Sequence, residues 1–164
     1  MAQSRGKKYE GEFKKNWYDT MGNSFCYRLY DVTSGYSGIA GVSDFICYKF
    51  PFIFLIDCKS HSGNTVNFND FSQYERMLEY KDVYGLIAGT MIWFADHDKE
   101  VWVPIQTWEQ IKNEGGKSFN IKMLDKPEYE CFELPSQKKR VFLKTDYMPL
   151  YNYYKEKYGF TELR

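Results

Sequence analysis

Residues 43–60 read SDFICYKFPFIFLIDCKS, an apolar stretch with polar ends and a Phe50-Pro51 step in its middle. Its two halves, Ser43–Lys49 and Phe52–Lys59, are rich in Phe, Ile, Tyr and Leu, a composition typical of strands that are buried on both faces. A short turn at the Phe-Pro step would fold them into an antiparallel hairpin. The stretch therefore predicts two neighbouring strands in the centre of a sheet.

Three charged residues interrupt this apolar hairpin. Asp44 opens the first strand, whereas Asp57 and Lys59 close the second and share one face because they are two residues apart. If the loop has two residues, partners across the hairpin have numbers that sum to 101, which places Asp44 opposite Asp57. Opposed side chains have Cβ atoms about 4.5–5.5 Å apart. Two carboxylates that close repel unless a proton or a cation lies between them, so the pair predicts a divalent-metal site.

The register of the hairpin depends on its turn. Pro51 would occupy the second central position, which ordinary two-residue turns disfavour for proline. A cis peptide bond or a longer loop could shift the register by one residue. Such a slip would put the two aspartates on opposite faces of the sheet, so both registers stay open on the sequence alone.

Length and composition favour a single domain over residues 1–164, since no Pro/Ser-rich linker divides the chain. Aromatic residues make up 20% of the chain, which is high, and some of these rings must be exposed. Exposed aromatic rings favour a partner or an oligomer. Codon bias in an AT-rich genome explains the same excess without any partner.

The formal net charge is zero, which argues against attraction of the whole surface to nucleic acid or to anionic membrane. Any such binding must use local basic patches. One patch lies within the first fifteen residues, which contain five basic and two acidic residues. A second patch is Lys138-Lys139-Arg140. Each cluster is either a phosphate contact or a set of solvated side chains.

The chain starts without the apolar core of a signal peptide and contains no run of about 18 apolar residues. We therefore expect a soluble, cytoplasmic protein with no membrane partner. The four cysteines form no CxxC pair, and two histidines are too few to suggest a zinc site. The consecutive residues 96–98, Asp-His-Asp, are not expected to converge on one ion because they share a tight turn.

The region before the hairpin predicts a helix, a strand and a loop. Lys7–Met21 has an apolar stripe at helical spacing, and Glu10 lies one position from that stripe, either as a solvated flank or as a ligand. Ser24–Val32 has the composition of a strand. Thr33–Val42 is glycine-rich, which suits either a close approach to another chain or a phosphate, or simple turn chemistry.

The region after the hairpin alternates helical and strand patterns. Asp70 or Ser72 could cap a helix over Phe71–Lys81, on which Gln73 and Arg76 would point toward the hairpin site. Further strands are predicted at Val83–Ala95, Glu100–Pro104, Glu128–Leu134 and Arg140–Leu143, and further helices at Ile105–Asn113 and Pro149–Tyr158. The pattern predicts an α/β fold with a mixed central β-sheet flanked by helices.

An acidic residue on a helix, Asp44 at a strand start and the Asp57-x-Lys59 element together suit metal-assisted phosphodiester hydrolysis. The carboxylates and the backbone carbonyl of Cys58 would hold Mg²⁺, or Mn²⁺ in its place, and the ion would neutralise charge on the scissile phosphate. Lys59 would position or polarise the attacking water. Sequence Ser43–Phe45 with Asp57–Lys59 resembles the D…(D/E)xK signature of the PD-(D/E)XK nuclease superfamily, and residues 6–10, GKKYE, resemble its helix-borne glutamate.

A closer resemblance is to the RecU-type Holliday junction resolvases, which include members from phages of low-GC Gram-positive bacteria. It extends over five elements in family order: residues 5–10, the YRL segment at 27–29, the spacing from Asp44 to Asp57, the DCKS stretch at 57–60, and FNDFSQYERM at 68–77. It covers about the first half of the chain. A lone Asp-x-Lys is common by chance, whereas five ordered elements are a specific signal.

The resemblance implies a restriction-endonuclease-like core and a homodimer whose two sites cut opposed strands of a four-way DNA junction. It implies that Glu10, Asp44 and Asp57 are acidic metal-site residues, that Lys59 is the catalytic lysine and that Gln73 supports the site. Asp57 stands where the family often has Glu, and Thr33–Val42 would be a short form of the family's projecting stalk. The expected DNA contacts are Arg5, Lys7, Lys8, Arg28, Gly35, Gly38, Arg76, Lys138, Lys139 and Arg140.

Two other functions fit the same residues. One is a restriction or repair endonuclease on the same core that acts on duplex DNA, which a preference for four-way junctions would exclude. The other is a DNA-binding dimer without activity, in which Lys59 merely pairs with an aspartate. In that case one negative charge is left without a partner.

Overall fold

The structure, a computed structural model, describes the backbone of residues 2–30 and 41–160, with side chains from residue 5 onward. The strands are β1 (Phe25–Arg28), β2 (Phe45–Lys49), β3 (Phe52–His61), β4 (Thr65–Asn67), β5 (Leu86–Phe94), β6 (Lys99–Pro104), β7 (Ser118–Asn120), β8 (Phe132–Leu134), β9 (Ser136–Lys138) and β10 (Leu143–Thr145). The helices are α1 (Ala2–Met21), α2 (Tyr74–Leu78), α3 (Ile105–Asn113) and α4 (Met148–Lys157), with single helical turns at Phe68–Asp70, Ala95–His97 and Ile121–Asp125.

Six strands form the central sheet in the order β1-β2-β3-β5-β6-β8. Strands β3 and β5 run parallel, and the other neighbouring pairs of this sheet run antiparallel. Two small antiparallel pairs, β4 with β7 and β9 with β10, lie beside it. This confirms the predicted α/β fold with a mixed central sheet flanked by helices.

Both faces of the sheet are covered, which explains why the strands read as continuous apolar runs. Helices α1 and α4 pack on one face, where Phe54, Ile56 and Cys58 point. Helices α2 and α3 pack on the other face with Leu55. The predicted α1 stripe is buried in the first of these cores. We call the two sides the α1/α4 face and the α2/α3 face.

The hairpin has the register that a two-residue loop requires. Phe45 pairs with Ile56 and Lys49 pairs with Phe52, so the partner numbers sum to 101. The Phe50-Pro51 peptide bond is cis, and the register is not shifted by it. The one-residue slip that the sequence left open is therefore excluded.

Several predicted boundaries were wrong. Helix α1 begins at Ala2 rather than Lys7, and α2 covers five residues instead of the predicted Phe71–Lys81. The residues that follow α2 form a series of tight turns, and neither Asp70 nor Ser72 caps it, because Gln73 occupies the N-cap without a side-chain hydrogen bond. Strand β9 was missed, since its polar and mostly exposed sequence shows no apolar alternation.

The predicted stalk mostly lies outside the described residues. Of Thr33–Val42, the structure describes the last two positions, so Gly35 and Gly38 stay predictions. Within residues 2–30 and 41–160, no helix is long and apolar enough to cross a membrane.

Candidate active site

Asp57 lies in the second half of β3 and is fully buried on the α2/α3 face. Neither of its carboxylate oxygens has a hydrogen-bond donor. The Lys59 ammonium lies 2.9 Å from Oδ2 as an ion pair, but its approach does not have hydrogen-bond geometry. The exposed fraction of the Lys59 side chain is 21%, so the site opens to solvent on the side of this lysine.

Asp44 lies one residue before β2, at the position opposite Asp57 in the observed register. Its Oδ2 accepts a hydrogen bond of 2.8 Å from the backbone N–H of Cys58. The side chain of Asp44 thus takes the place of a backbone acceptor where the ladder between β2 and β3 ends. The N–H and C=O of one strand residue point toward the same neighbour, so the Cys58 carbonyl faces this edge as well.

The electrostatics of the pair reflect two acids and one cation. Burial raises the pKa of Asp57 well above its usual value, the charge of Asp44 raises it further, and Lys59 opposes both. Burial lowers the pKa of the Lys59 ammonium, but the Asp57 carboxylate outweighs burial, so that pKa is raised overall. The negative charge of two carboxylates exceeds what one lysine can offset.

This donor set fits a divalent cation. Two buried carboxylate oxygens without donors lie near a second carboxylate and beside a strand carbonyl, and hard oxygen ligands of this kind suit Mg²⁺. The fit involves Asp44, Asp57 and the carbonyl of Cys58. It does not extend to a third acidic side chain, since no group of three His, Cys, Asp or Glu residues able to hold a metal ion occurs within the described ranges.

Glu10 is therefore not beside the aspartates, as the predicted ligand set required. It projects from α1 on the opposite face, and its Oε2 accepts a 2.5 Å hydrogen bond from Nε of Arg28 at the end of β1. The charge of Asp44 also acts on the Arg28 guanidinium. Glu10 and Asp44 are thus linked through Arg28, which explains why the acidic residues do not converge.

Gln73 and Arg76 were predicted to face the site from their helix. Gln73 is buried at the start of α2, and its Oε1 accepts a hydrogen bond from the Ser72 hydroxyl. No hydrogen bond joins Gln73 to Asp44, Asp57 or Lys59 in the described part of the chain.

One residue of each predicted basic cluster, Arg5 and Lys138, lies at the end of β3. Arg5 donates to Ser62 just after β3, and Lys138 forms a 2.8 Å ion pair with Asp98 in the turn after β5. Hydrogen bonds between residues 63–64 and 96–97 join this turn to the segment that holds Ser62. Lys139 and Arg140 are exposed beside Lys138. The start of the first cluster therefore lies near the second cluster, beyond the end of β3 that carries Lys59.

A second buried acid, Glu100 on β6, was not singled out in the sequence. It lies on the α1/α4 face and accepts hydrogen bonds from the hydroxyls of Tyr9, Thr145 and Tyr147. Burial raises the pKa of Glu100, and the three hydroxyls lower it in part. No local sequence pattern signals this cluster, because its members come from three distant segments.

No family model matches the chain, and no curated protein matches it. One solved structure with a similar backbone is Hjc from Archaeoglobus fulgidus, a Holliday junction resolvase from an archaeal hyperthermophile. The two chains share 12% identity at a TM-score of 0.49, over 62% of this chain and 78% of that chain. At this distance no residue role passes from one chain to the other.

Proposed function

We propose that the protein is a Mg²⁺-dependent DNA endonuclease of the PD-(D/E)XK type that resolves four-way junctions as a homodimer. The observation that carries the proposal is Asp57, a fully buried carboxylate without a hydrogen-bond donor, placed opposite Asp44 and beside Lys59. Leaving a buried carboxylate without donors is costly to the fold. A functional cation explains why the chain keeps such a group.

Asp44, Asp57 and the carbonyl of Cys58 would hold Mg²⁺, with Mn²⁺ as a substitute. When bound, the ion supplies charge neutralisation at the scissile phosphate and activation of water. The protein supplies a dry, fixed set of oxygens, because Asp57 is locked inside β3 and the Cys58 N–H holds Asp44 in place.

Lys59 is proposed as the catalytic lysine. Its side chain keeps an exposed fraction of 21%, and its ammonium lies 2.9 Å from Asp57. A cation fixed there stabilises the negative charge that builds on the phosphate during attack, and it can orient the attacking water. Because the lysine is already held in place by Asp57, little rearrangement is needed during the reaction.

Glu10 and Gln73 enter the proposal as supporting residues. Glu10 would act from the margin of the site through Arg28, whose guanidinium also interacts with Asp44. Gln73 would support the site from its buried position at the start of α2. Both assignments rest on the motif resemblance rather than on a contact with Asp57.

The substrate is proposed to be junction DNA. A chain without net charge must bind phosphates through local patches, and Arg5 of the first basic cluster lies near Lys138 of the second beyond the end of β3. The preference for a four-way junction over a linear duplex is motivated by the five RecU-type elements in family order. A duplex-cutting endonuclease is the alternative that the assay below separates.

A homodimer is proposed because two opposed cuts need two active sites and the chain supplies one Asp57 site. Phe25, Tyr48 and Ile53 are exposed and lie side by side across β1, β2 and β3 on the α2/α3 face. This apolar row at the edge of the sheet is a suitable surface for a second copy. Sedimentation at micromolar concentration should give a dimer, and Tyr48→Asp should weaken it.

The proposed function is tested by incubating the protein with a labelled four-way junction and with linear duplex arms of the same sequence, with Mg²⁺ or with EDTA. Paired cuts in the junction that require Mg²⁺ are expected, with the duplex left intact. Equal cutting of the duplex would favour the alternative endonuclease. Binding without cutting under all conditions would leave a DNA-binding dimer as the function.

A further inference from the structure

A cavity of about 430 Å³ lies between the exposed side of α1 and the end of β1. Six of the residues that line it are Lys7, Glu10, Gly11, Lys14, Arg28 and Tyr30. Through the Glu10–Arg28 ion pair the cavity adjoins the proposed active site, yet it is separate from the Asp57 pair on the opposite face of the sheet.

Among the described residues that line the cavity, basic side chains outnumber acidic ones by three to one. Glu10 forms an ion pair with Arg28, so the charges of these two side chains offset each other. Lys7 and Lys14 are exposed, and among the described residues no carboxylate lies within 4 Å of either ammonium. They are two helical turns apart, about 10 Å along the axis. That distance spans about three nucleotide steps of a DNA strand, so two lysines could each take a phosphate.

Gly11 lies between the two lysines in the middle of α1. Glycine weakens a helix interior compared with alanine. A Cβ at this position would meet no atom within 4 Å, so packing does not require glycine here. The bare helix backbone at Gly11 does permit the close approach of a bulky ligand to the floor of the cavity.

Tyr30 adds a flat aromatic surface at the mouth of the cavity. Its exposed fraction is 73%, and the Arg28 guanidinium lies 5.1 Å from the ring centroid. An exposed ring in the same cavity as exposed lysines is a combination with which proteins hold nucleic-acid strands, because bases stack on the ring while phosphates bind the cations.

We infer that this cavity binds the sugar-phosphate backbone of the DNA strand that flanks the cleaved bond, with Lys7 and Lys14 on phosphates about three steps apart and the strand passing over Gly11. The inference rests on the proposed nuclease function and deepens it. It assigns a strand-binding role to Lys14, Gly11 and Tyr30, none of which is among the DNA contacts expected from the sequence.

The first test replaces the two lysines. Lys7→Ala with Lys14→Ala should weaken junction binding on the order of tenfold in Ca²⁺ and lower the slope of log affinity against log salt by about 1.8. The control is Lys122→Ala with Lys126→Ala, which removes two exposed lysines far from the cavity. The control should bind as the unmodified protein does. Equal binding by both variants would overturn the inference.

The second test uses the two glycines of α1. Gly11→Ala and Gly6→Ala should each raise the unfolding midpoint by about 2–4 °C, because both place alanine in a helix with free space around its Cβ. Gly11→Ala alone should weaken junction binding, on the order of fivefold, since its methyl group enters the strand path. Junction binding by Gly11→Ala that is as tight as by Gly6→Ala would contradict the proposed path.

These outcomes are distinguishable from failure of the proposed function. If the unmodified protein cuts junctions and the cavity variants still bind them normally, the cavity inference is wrong and the nuclease assignment stands. If the unmodified protein neither binds nor cuts a junction, the nuclease assignment itself is wrong.

Discussion

Asp57 and Glu100 are both fully buried carboxylates of the central sheet, but their surroundings are opposite. Glu100, on the α1/α4 face, accepts hydrogen bonds from three hydroxyls. Asp57, on the α2/α3 face, has no donor at either oxygen and faces a second acid, Asp44. The first environment satisfies a buried charge, which is typical of a structural role. The second offers one ion pair with Lys59 and no hydrogen bond to a carboxylate that also faces a second acid, which is typical of a site that takes a cation.

The largest expected effect separates the two acids by activity. Asp57→Asn should lower the single-turnover rate of junction cleavage in Mg²⁺ on the order of 10³-fold or more, because a ligand of the ion and its charge are lost. Glu100→Gln should leave the cleavage rate nearly unchanged, because Glu100 lies on the opposite face of the sheet from Asp57. Full activity of Asp57→Asn would remove the distinction between the two acids.

The next prediction separates chemistry from binding at the Asp57 site. Lys59→Ala should lower the cleavage rate by orders of magnitude and leave junction affinity nearly unchanged, since its stabilisation applies mainly to the transition state. The combined change of Lys138, Lys139 and Arg140 to Ala should do the reverse and flatten the salt dependence of binding. Affinity in Ca²⁺ and single-turnover rates in Mg²⁺ are measured for both. A parallel loss of affinity and rate in Lys59→Ala would make it a binding residue.

Stability should respond in the opposite sense at the two acids. Glu100→Leu leaves the hydroxyls of Tyr9, Thr145 and Tyr147 without their acceptor and should lower the free energy of unfolding by about 3 kcal/mol. Asp57→Asn, measured without metal, should leave it unchanged or raise it, because the repulsion from Asp44 disappears. Urea unfolding measures both. A loss of stability in Asp57→Asn similar to that in Glu100→Leu would make the two acids alike.

The smallest expected effect is the pH dependence at Glu100. The groups that face it are Tyr9, Tyr147 and Cys58, whose pKa values are all raised by burial, so they stay neutral as Glu100 ionises. Because the folded-state pKa of Glu100 is raised from 4.5, its contribution to stability is present below that value and is lost as pH rises through the folded pKa.

Glu100→Gln removes this titration. The unmodified protein should therefore lose stability relative to Glu100→Gln as pH rises above 4.5, by an amount limited by the three hydroxyls that offset burial. The check is the difference in unfolding free energy between the two proteins from pH 4.5 to 7.5. If the unmodified protein instead gained stability relative to Glu100→Gln as pH rises, the effect of the three hydroxyls on the pKa of Glu100 would outweigh that of burial.

The sequence predicted what depends on local pattern. The Asp44–Asp57 register was predicted for a two-residue loop, with a one-residue slip left open, and the faces of Asp57, Cys58 and Lys59 were predicted from strand alternation. The buried stripe of α1 followed from helical spacing. Each of these needs nothing beyond the neighbouring residues, so one chain without relatives was enough.

The remaining features depend on contacts between distant segments. The ion pair of Glu10 with Arg28 joins α1 to β1. Glu10 was predicted to lie beside the aspartates, but it binds Arg28 instead. The Glu100 cluster and the α1 cavity are assembled in the same way. The second helix was shorter than predicted because the turns after Leu78 keep helix-like composition while their backbone bonds run from residue i to i−3. Residue pattern does not separate these two states.

The most direct test of the central claim is the shift of the unfolding midpoint by Mn²⁺ in the absence of DNA. An ion that binds the folded state raises its stability in proportion to the logarithm of ion concentration over the dissociation constant. The unmodified protein and Glu100→Gln should both show a shift that grows with Mn²⁺ concentration, and Asp57→Asn should show none. An equal shift in Asp57→Asn, or no shift in the unmodified protein, would contradict the claim that the unsatisfied acid is a metal site.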